Sequence, residues 1–181
     1  MAVGGTDFSD TYHGANSSYW SPTNGKYYNS AKSYIPEIPW NSSCGSELLA
    51  NWLGYATTYG PTGLCASLTA SEDGLLFVAA GSGGPSNCAT GAPSSGTCRG
   101  YSKPSWQSGL YGNPADGVRD IPDVSLFASS GIWLHSYVFC YSDPVTGGGG
   151  EPCTGAPSTW SKAGGTSFAA PIMAGVQDLD Q

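Results

Sequence analysis

A serine near the C-terminal end of the sequence has the neighbours of a catalytic nucleophile. Ser167 follows Gly164, Gly165 and Thr166, and a helix from Thr166 to Leu179 is predicted by apolar residues at helical spacing, namely Phe168, Ile172, Met173, Val176 and Leu179. The N-terminus of a helix stabilises an oxyanion through free N–H groups and its dipole, and glycines leave room for a substrate backbone. The pattern indicates acyl transfer, with a simple helix N-cap as the alternative.

The other polar residues favour structural roles. His13 precedes a glycine but lies only three residues from Asp10, so we interpret it as a loop residue. His135 falls inside a predicted strand, where a hydrogen-bonded sheet histidine is more common than a base. Arg119 and Asp123 are expected to form an ion pair near a sheet edge. The remaining aspartates are interpreted as ordinary turn residues: Asp7, Asp10, Asp116 and Asp143.

Short apolar segments predict the elements that must position Ser167. The run from Leu75 to Ala80 is continuously apolar and bounded by glycines, which is typical of a buried parallel strand. A short helix is predicted over Glu47 to Tyr55. Further strands are predicted at Ala2–Phe8, Ile121–Ala128 and Ile132–Cys140. The segment between residues 9 and 44 is polar, aromatic and rich in turns, so we expect a surface excursion that packs its rings on a core.

Composition and charge exclude several classes of protein. The 181 residues include 27 Gly and 13 Pro, only 10% are charged, and the formal net charge is −7. The six basic residues form no patch, so binding to nucleic acid or to an anionic membrane is disfavoured. The longest apolar run has six residues, far fewer than the ~20 of a membrane-spanning helix. We therefore expect a protein without nucleic-acid or membrane partners.

The six cysteines predict disulfides. They lack the Cys-x-x-Cys spacing of zinc sites, and their even number favours three bridges formed in an oxidising, extracellular compartment. Six cysteines allow 15 connectivities. Sequential pairing is our prediction because each such pair brackets a loop rich in Gly, Pro or Ser: Cys44–Cys65, Cys88–Cys98 and Cys140–Cys153.

An ordered set of segments carries a family resemblance. The string GGTSFAAPIMAG (Gly164 to Gly175) closely resembles the nucleophile helix shared by subtilisin-like proteases and the sedolisins, or serine-carboxyl peptidases. Further segments resemble sedolisin motifs in the family's order: Val-Gly-Gly-Thr at 3–6, the Gly-rich stretch at 82–86 with Pro-Ser-Trp-Gln at 104–107, and Arg-Asp-Ile-Pro-Asp-Val-Ser at 119–125. The segment at 78–84 also resembles the subtilisin oxyanion loop, but its position after residues 2–6 favours the first assignment.

The resemblance implies an α/β fold of the subtilisin type, with a mostly parallel sheet and flanking helices. It implies an acid-acting serine endopeptidase with a protein or peptide substrate and Ser167 as the nucleophile. Gly83 and Gly84 are the implied substrate-binding residues, since they would line the same cleft as Gly164 and Gly165.

The sequence departs from the family in the partners of the serine. Sedolisins use a glutamate as the base, oriented by an aspartate four residues later, and no Glu-x-x-x-Asp occurs here. The resemblance therefore implies that residues 1–181 are the C-terminal part of an incomplete catalytic domain. The glutamate, the aspartates and the calcium site of the complete family domain would lie outside it, and no cofactor is expected in this chain. On this interpretation the chain alone is inactive.

Two other hypotheses stay open. An extracellular module that binds glycans is suggested by the aromatic stretch from Tyr12 to Trp40, with Trp20 and Trp40 as the candidate platform. A degenerate protease that lacks the acidic residues altogether is the other.

Overall fold

The computed structural model describes residues 1–81, 83–142, 153–157 and 160–180. The strands are β1 (Val3–Phe8), β2 (Glu37–Pro39), β3 (Gly84–Pro85), β4 (Asp120–Ile121), β5 (Val124–Phe127), β6 (Tyr137–Phe139) and β7 (Ser161–Ala163). The α-helices are α1 (Asn16–Tyr19), α2 (Glu47–Trp52), α3 (Leu68–Glu72) and α4 (Thr166–Leu179), with 3₁₀ turns at Leu64–Ala66, Pro93–Ser95 and Ser105–Gln107.

The strands form three small sheets, and this corrects the predicted fold class. The order in the three-stranded sheet is β2-β1-β5, in which β1 is parallel to β5 and antiparallel to β2. The pairs β3–β4 and β6–β7 are both antiparallel. The expected subtilisin-like, mostly parallel sheet with flanking helices is therefore wrong for the described residues. Strands of two to six residues, interrupted by turns, are too short to build it.

The predicted buried strand from Leu75 to Ala80 is also wrong. Gly74, with φ +68°, turns the chain after α3, and the apolar run continues as a surface connection. Leu75 is buried, but Leu76, Phe77 and Val78 are 56%, 77% and 94% exposed. The carbonyls of Leu75 and Ala79 still accept hydrogen bonds, from the backbone N–H groups of residues 44 and 42. The continuous apolar run after Gly74 therefore forms no strand, and three of its six side chains are exposed.

The other predicted elements are present with altered lengths. The helix at Thr166–Leu179 and the strand at the N-terminus are confirmed. Ser46 caps α2 by accepting a hydrogen bond from the Leu49 N–H, and that helix ends at Trp52, three residues before the predicted end. The segment predicted as one strand at 121–128 is divided between β4 and β5, and the strand predicted at 132–140 is reduced to β6.

Two clusters of buried side chains hold these elements together. The larger one joins α2 and α3 to the turn before β6, and its buried members are Cys44, Leu49, Ala50, Leu64, Ala70, Leu75 and Trp133. The smaller one lies between the three-stranded sheet and α4 and contains Trp40, Ala128 and Ala169. Ser167 therefore begins a helix that rests on the smaller core.

The predicted disulfide pairing is confirmed. The bonds are Cys44–Cys65, Cys88–Cys98 and Cys140–Cys153, and the paired cysteines are 10 to 21 positions apart in the sequence. Three disulfides fit a protein made in an oxidising compartment. None of the helices in the described part of the chain is both long enough and apolar enough to span a membrane.

Candidate functional site

Ser167 lies on the surface at the first turn of α4. The helix packs on β1 and β5, and Ala169 is its buried residue. Ser167 itself is exposed, and among the described residues its hydroxyl makes no hydrogen bond. The N–H groups of a first helical turn have no intrahelical partner, and those of Thr166 and Ser167 have no acceptor among the described residues, so they can bind an anion. The geometry leaves the hydroxyl unobstructed and close to oxyanion donors.

Glycines fix the start of α4 by allowing close backbone packing. A Cβ on Gly5 would lie 2.8 Å from Ala128 Cβ and 2.9 Å from Trp40 Cε3. A Cβ on Gly164 would collide with the carbonyl of Ser129. Gly165 precedes the helix with φ +116°, and its N–H donates to the Ala128 carbonyl at 2.7 Å. Gly164 is thus required by packing and Gly165 by its backbone conformation, whether or not a substrate approaches them.

Pro171 changes the hydrogen bonding of the same turn. In an α-helix the N–H of residue 171 would donate to the carbonyl of residue 167. Proline has no N–H, so the Ser167 carbonyl lacks this donor. The first turn of α4 is therefore held less tightly to the rest of the helix.

Gly83 and Gly84, predicted to bind substrate, lie against another strand. Gly84 pairs with Ile121 in the small β3–β4 sheet, and a Cβ on Gly83 would lie 2.9 Å from the Ile121 carbonyl oxygen. Ser167 begins the helix that packs on β1 and β5. Gly83 thus allows the two segments to approach closely, whereas Gly84 has φ +133° and open space around its Cβ position. Their binding of substrate stays a prediction. Ser82, from the alternative oxyanion alignment, lies outside the described residues.

A second polar cluster, which the sequence did not predict, surrounds His135. The ring lies between the carboxylates of Asp7 in β1 and Asp10 in the turn that follows, and both aspartates are 0% exposed. His135 Nδ1 is 3.0 Å from Asp7 Oδ1, and Nε2 is 3.1 Å from Asp10 Oδ1. The contact between Nε2 and Asp10 Oδ1 is short enough for an ion pair, but its geometry is not that of a hydrogen bond. Asp10 Oδ1 is therefore a buried oxygen with no hydrogen-bond partner. We call His135, Asp7 and Asp10 the imidazole cluster.

The charges of the imidazole cluster favour the protonated ring. Burial alone would lower the pKa of His135, since it disfavours the charged imidazolium. The hydrogen bond to Asp7 and the negative charges of Asp10 and Asp7 oppose burial and outweigh it. The pKa of His135 is therefore raised above its usual value. A protonated ring is a poor general base, so the cluster suits structure better than catalysis.

Aromatic rings enclose the imidazole cluster on one side. The indole N–H of Trp20 donates to Asp10 Oδ2 at 2.5 Å, and its ring stacks on His135 with centroids 6.2 Å apart. Phe8 meets His135 edge to face at 5.3 Å and stacks on Phe127 at 4.7 Å. These rings line a pocket of about 480 Å³.

The remaining sequence expectations have mixed outcomes. His13 lies in an exposed turn, as predicted. The Arg119–Asp123 pair is confirmed, with Nη2 2.5 Å from Oδ1, and Asp123 also accepts the Ala2 N–H at 2.8 Å. This backbone hydrogen bond and the guanidinium hold the pKa of Asp123 below its usual value, although burial opposes them. Both residues act structurally, since they join the start of β1 to the end of β4.

Two interpretations of single residues need correction. Asp7 is a fully buried strand residue, although an ordinary turn aspartate was predicted. Trp40 is 6% exposed and donates its N–H to Ser42, so it cannot form the exposed glycan platform. Asp143 lies outside the described residues. A carboxylate inside the apolar strand Val-Gly-Gly-Thr-Asp-Phe was the available signal for a buried partner, but its histidine lies 128 positions away.

Comparisons with known proteins add no assignment. No family model matches the chain, and neither a curated protein nor a solved structure matches it. Within the described ranges, no group of three His, Cys, Asp or Glu side chains is arranged to hold a metal ion. No step below uses a metal.

Proposed function

We propose that the chain carries the nucleophile of a serine endopeptidase of the sedolisin type, which acts on protein or peptide substrates in acid outside the cell. One observation carries the proposal. Ser167 is exposed at the first turn of a 14-residue helix, its hydroxyl has no hydrogen bond to any residue that the structure describes, and it lies within a string that resembles the family's nucleophile motif. The three disulfides support an extracellular location.

In the proposed reaction the Ser167 hydroxyl oxygen attacks the carbonyl carbon of the peptide bond, and its proton passes to a base. The N–H groups of the first turn of α4 hold the resulting oxyanion. The tetrahedral intermediate collapses, the peptide C–N bond breaks and the base returns the proton to the leaving amine. Water then hydrolyses the acyl-enzyme by the same sequence of steps.

The base in this proposal is a glutamate from outside residues 1–181. No carboxylate or imidazole in the described part of the chain is hydrogen-bonded to Ser167, and a serine without a base is a weak nucleophile. A carboxylate suits this role in acid because a histidine is protonated there.

The test compares the complete gene product with the 181-residue chain in the hydrolysis of a denatured protein at about pH 4. We expect the complete product to cleave, the isolated chain not to cleave, and Ser167→Ala to lower kcat by at least about a thousandfold. Ser71→Ala is the matched control, since Ser71 is an exposed helical serine on α3. Full activity of the Ser167→Ala product would rule out the nucleophile, and cleavage by the isolated chain would rule out the external base.

A further inference from the structure

The pocket beside the imidazole cluster has the lining of a binding site. Its walls come from the C-terminal ends of β1 and β5, from α1 with the adjacent Trp20, and from residues in and before β6 and in β7. Five of its lining residues are apolar or aromatic: Phe8, Trp20, Phe127, Leu134 and Val138. A volume of about 480 Å³ is within the range of small-ligand pockets. Leu134 lies at the rim, and its backbone has φ +71°, a conformation that is uncommon for leucine.

Three polar side chains of this pocket, those of Asn16, Trp20 and His135, already have partners. The indole N–H of Trp20 is bound to Asp10, and both ring nitrogens of His135 face buried carboxylates. The amide nitrogen of Asn16 donates to the Thr11 hydroxyl at 3.0 Å. A sugar needs several free and directional hydrogen-bonding groups, and these are mostly committed. The lining therefore favours an apolar ring over a hexose.

Aromatic walls attract a further aromatic ring. Phe8 and Phe127 stack with an interplanar angle of 18°, and Trp20 meets Phe8 edge to face at 6.1 Å. Rings pack best in offset-stacked or edge-to-face arrangements, which a phenyl or indole entering this space can adopt. The pocket is thus suited to the side chain of Phe, Tyr or Trp.

The rim carries the positive charge of Lys162, which has no ion-pair partner among the described residues. Lys162 of β7 lines the pocket, is exposed, and forms no ion pair with any residue that the structure describes. The charge of His135, in contrast, is balanced by two aspartates. A carboxylate on the ligand would complement Lys162.

We propose that this pocket binds a peptide whose aromatic side chain packs against the rings of Phe8, Trp20 and Phe127 that line it, while a carboxylate next to that side chain, such as a free C-terminus, meets Lys162. This site goes beyond the proposed peptidase activity and does not depend on it. Its ligand is a peptide ending in an aromatic residue.

The test is calorimetric titration of the Ser167→Ala chain at about pH 5, where a peptide carboxylate is ionised. The probes are N-acetyl-Ala-Phe with a free carboxylate, its C-terminal amide, N-acetyl-Ala-Ala and methyl glucoside. We expect the Phe acid to bind at least about tenfold more tightly than the Ala acid, since a buried ring contributes more apolar area. It should bind about two- to fivefold more tightly than its amide, the range of an exposed ion pair.

Matched variants locate the site. Val138→Trp should weaken binding at least about tenfold by filling the pocket, whereas Val176→Trp on α4 should not, although the two valines are 46% and 50% exposed. Lys162→Gln should remove the preference for the acid over the amide, and Lys26→Gln should keep it. If Val138→Trp perturbs folding, Leu134→Gly is the second variant, because glycine adopts φ +71° without strain. Without the leucine side chain the rim is open, and the Phe peptide should bind more weakly.

Equal binding of the Phe and Ala peptides, tighter binding of the glucoside, or the same affinity for acid and amide would overturn the proposal. These titrations use a variant that lacks the Ser167 hydroxyl, so their result does not depend on peptidase activity. The peptidase proposal is tested separately, by the cleavage assay above. Binding that survives Val138→Trp and Leu134→Gly would place the ligand elsewhere and would also overturn it.

Discussion

Ser167 and His135 are polar residues near the three-stranded sheet, and they differ in exposure and in the number of their polar contacts. Ser167 is exposed, makes no hydrogen bond within the described residues, and depends on glycines for its position. His135 is largely buried, and its ring nitrogens face Asp7 and Asp10. Reactivity needs a side chain free to change its bonding, whereas a buried charge needs fixed partners. Ser167 is therefore the candidate for chemistry and His135 for stability.

The difference predicts which substitutions change folding and which do not. Removing His135 from the imidazole cluster leaves two carboxylates buried without a cation. Removing the Ser167 hydroxyl leaves nothing buried. Measurements of the free energy of unfolding can therefore test the comparison directly.

The largest effect is expected for His135→Ala. Loss of the ring leaves two buried carboxylates without their cation, which typically costs about 3–5 kcal/mol of stability. Urea unfolding at about pH 5 measures the loss, since unfolded histidine is protonated there. The exposed His13→Ala is the control and should change stability by less than about 0.5 kcal/mol. Equal effects of the two substitutions would show that the imidazole cluster contributes no stability.

A smaller effect is expected from deprotonation of His135. Its pKa is raised in the folded state, so its contribution is fully present below the unfolded value of about 6.5 and is lost as the pH rises through the folded value. The neutral ring can still donate one hydrogen bond, so less stability is lost than in His135→Ala. Unfolding by urea between about pH 5 and 9 measures the decline. In His135→Gln this part of the pH dependence should disappear.

Trp20→Phe should cost about 1.5–3 kcal/mol, because it removes a hydrogen bond to a charged and buried group, Asp10. Trp52→Phe is a suitable control, since Trp52 is a half-exposed indole on α2. Thermal unfolding of the two variants, followed by near-ultraviolet circular dichroism, gives the comparison. A larger loss from Trp52→Phe would contradict the role of Asp10 as a buried charge that needs donors.

Gly5→Ala should destabilise the protein by about 1–3 kcal/mol, since its Cβ would overlap Ala128 and Trp40 beneath the start of α4. Gly175→Ala in the same helix has open space around its Cβ and should stabilise by roughly 0.5–1 kcal/mol. Opposite signs in urea unfolding would confirm that glycine at position 5 serves packing. A neutral Gly5→Ala would mean that the start of α4 adjusts without cost.

Ser167→Ala should have the smallest effect on folding, less than about 0.5 kcal/mol, because the hydroxyl is exposed and makes no hydrogen bond among the described residues. The measurement is the urea midpoint of the purified chain. A clear loss of stability would reveal a structural role for the hydroxyl and would weaken its case as a free nucleophile.

Local patterns in the sequence predicted the local features of the molecule. Helix α4 follows from its apolar spacing and the three disulfides from the loops that they close, and the Arg119–Asp123 pair was expected near a sheet edge. Each of these depends on neighbours in the sequence or on a short loop.

Contacts between distant segments were beyond the reach of the same patterns. The fold class was wrong because apolar runs and family-like motifs do not specify which strands pair, and most pairs here are antiparallel. The run after Gly74 was mistaken for a buried strand because its composition is the same whether it is covered or exposed. The imidazole cluster joins Asp7 to a histidine 128 positions later, so nothing near either residue indicates the other.

The exposed run from Leu76 to Val78 has a consequence for the behaviour of the protein in solution. It belongs to a six-residue segment of apolar residues without charge or proline, a composition that promotes association of chains through β-pairing. Repulsion between chains weakens as the net charge falls towards zero near the sequence pI of 4.4. Solubility should therefore be lowest in the mildly acidic buffers in which peptidase activity would be sought, and low protein concentrations are advisable there.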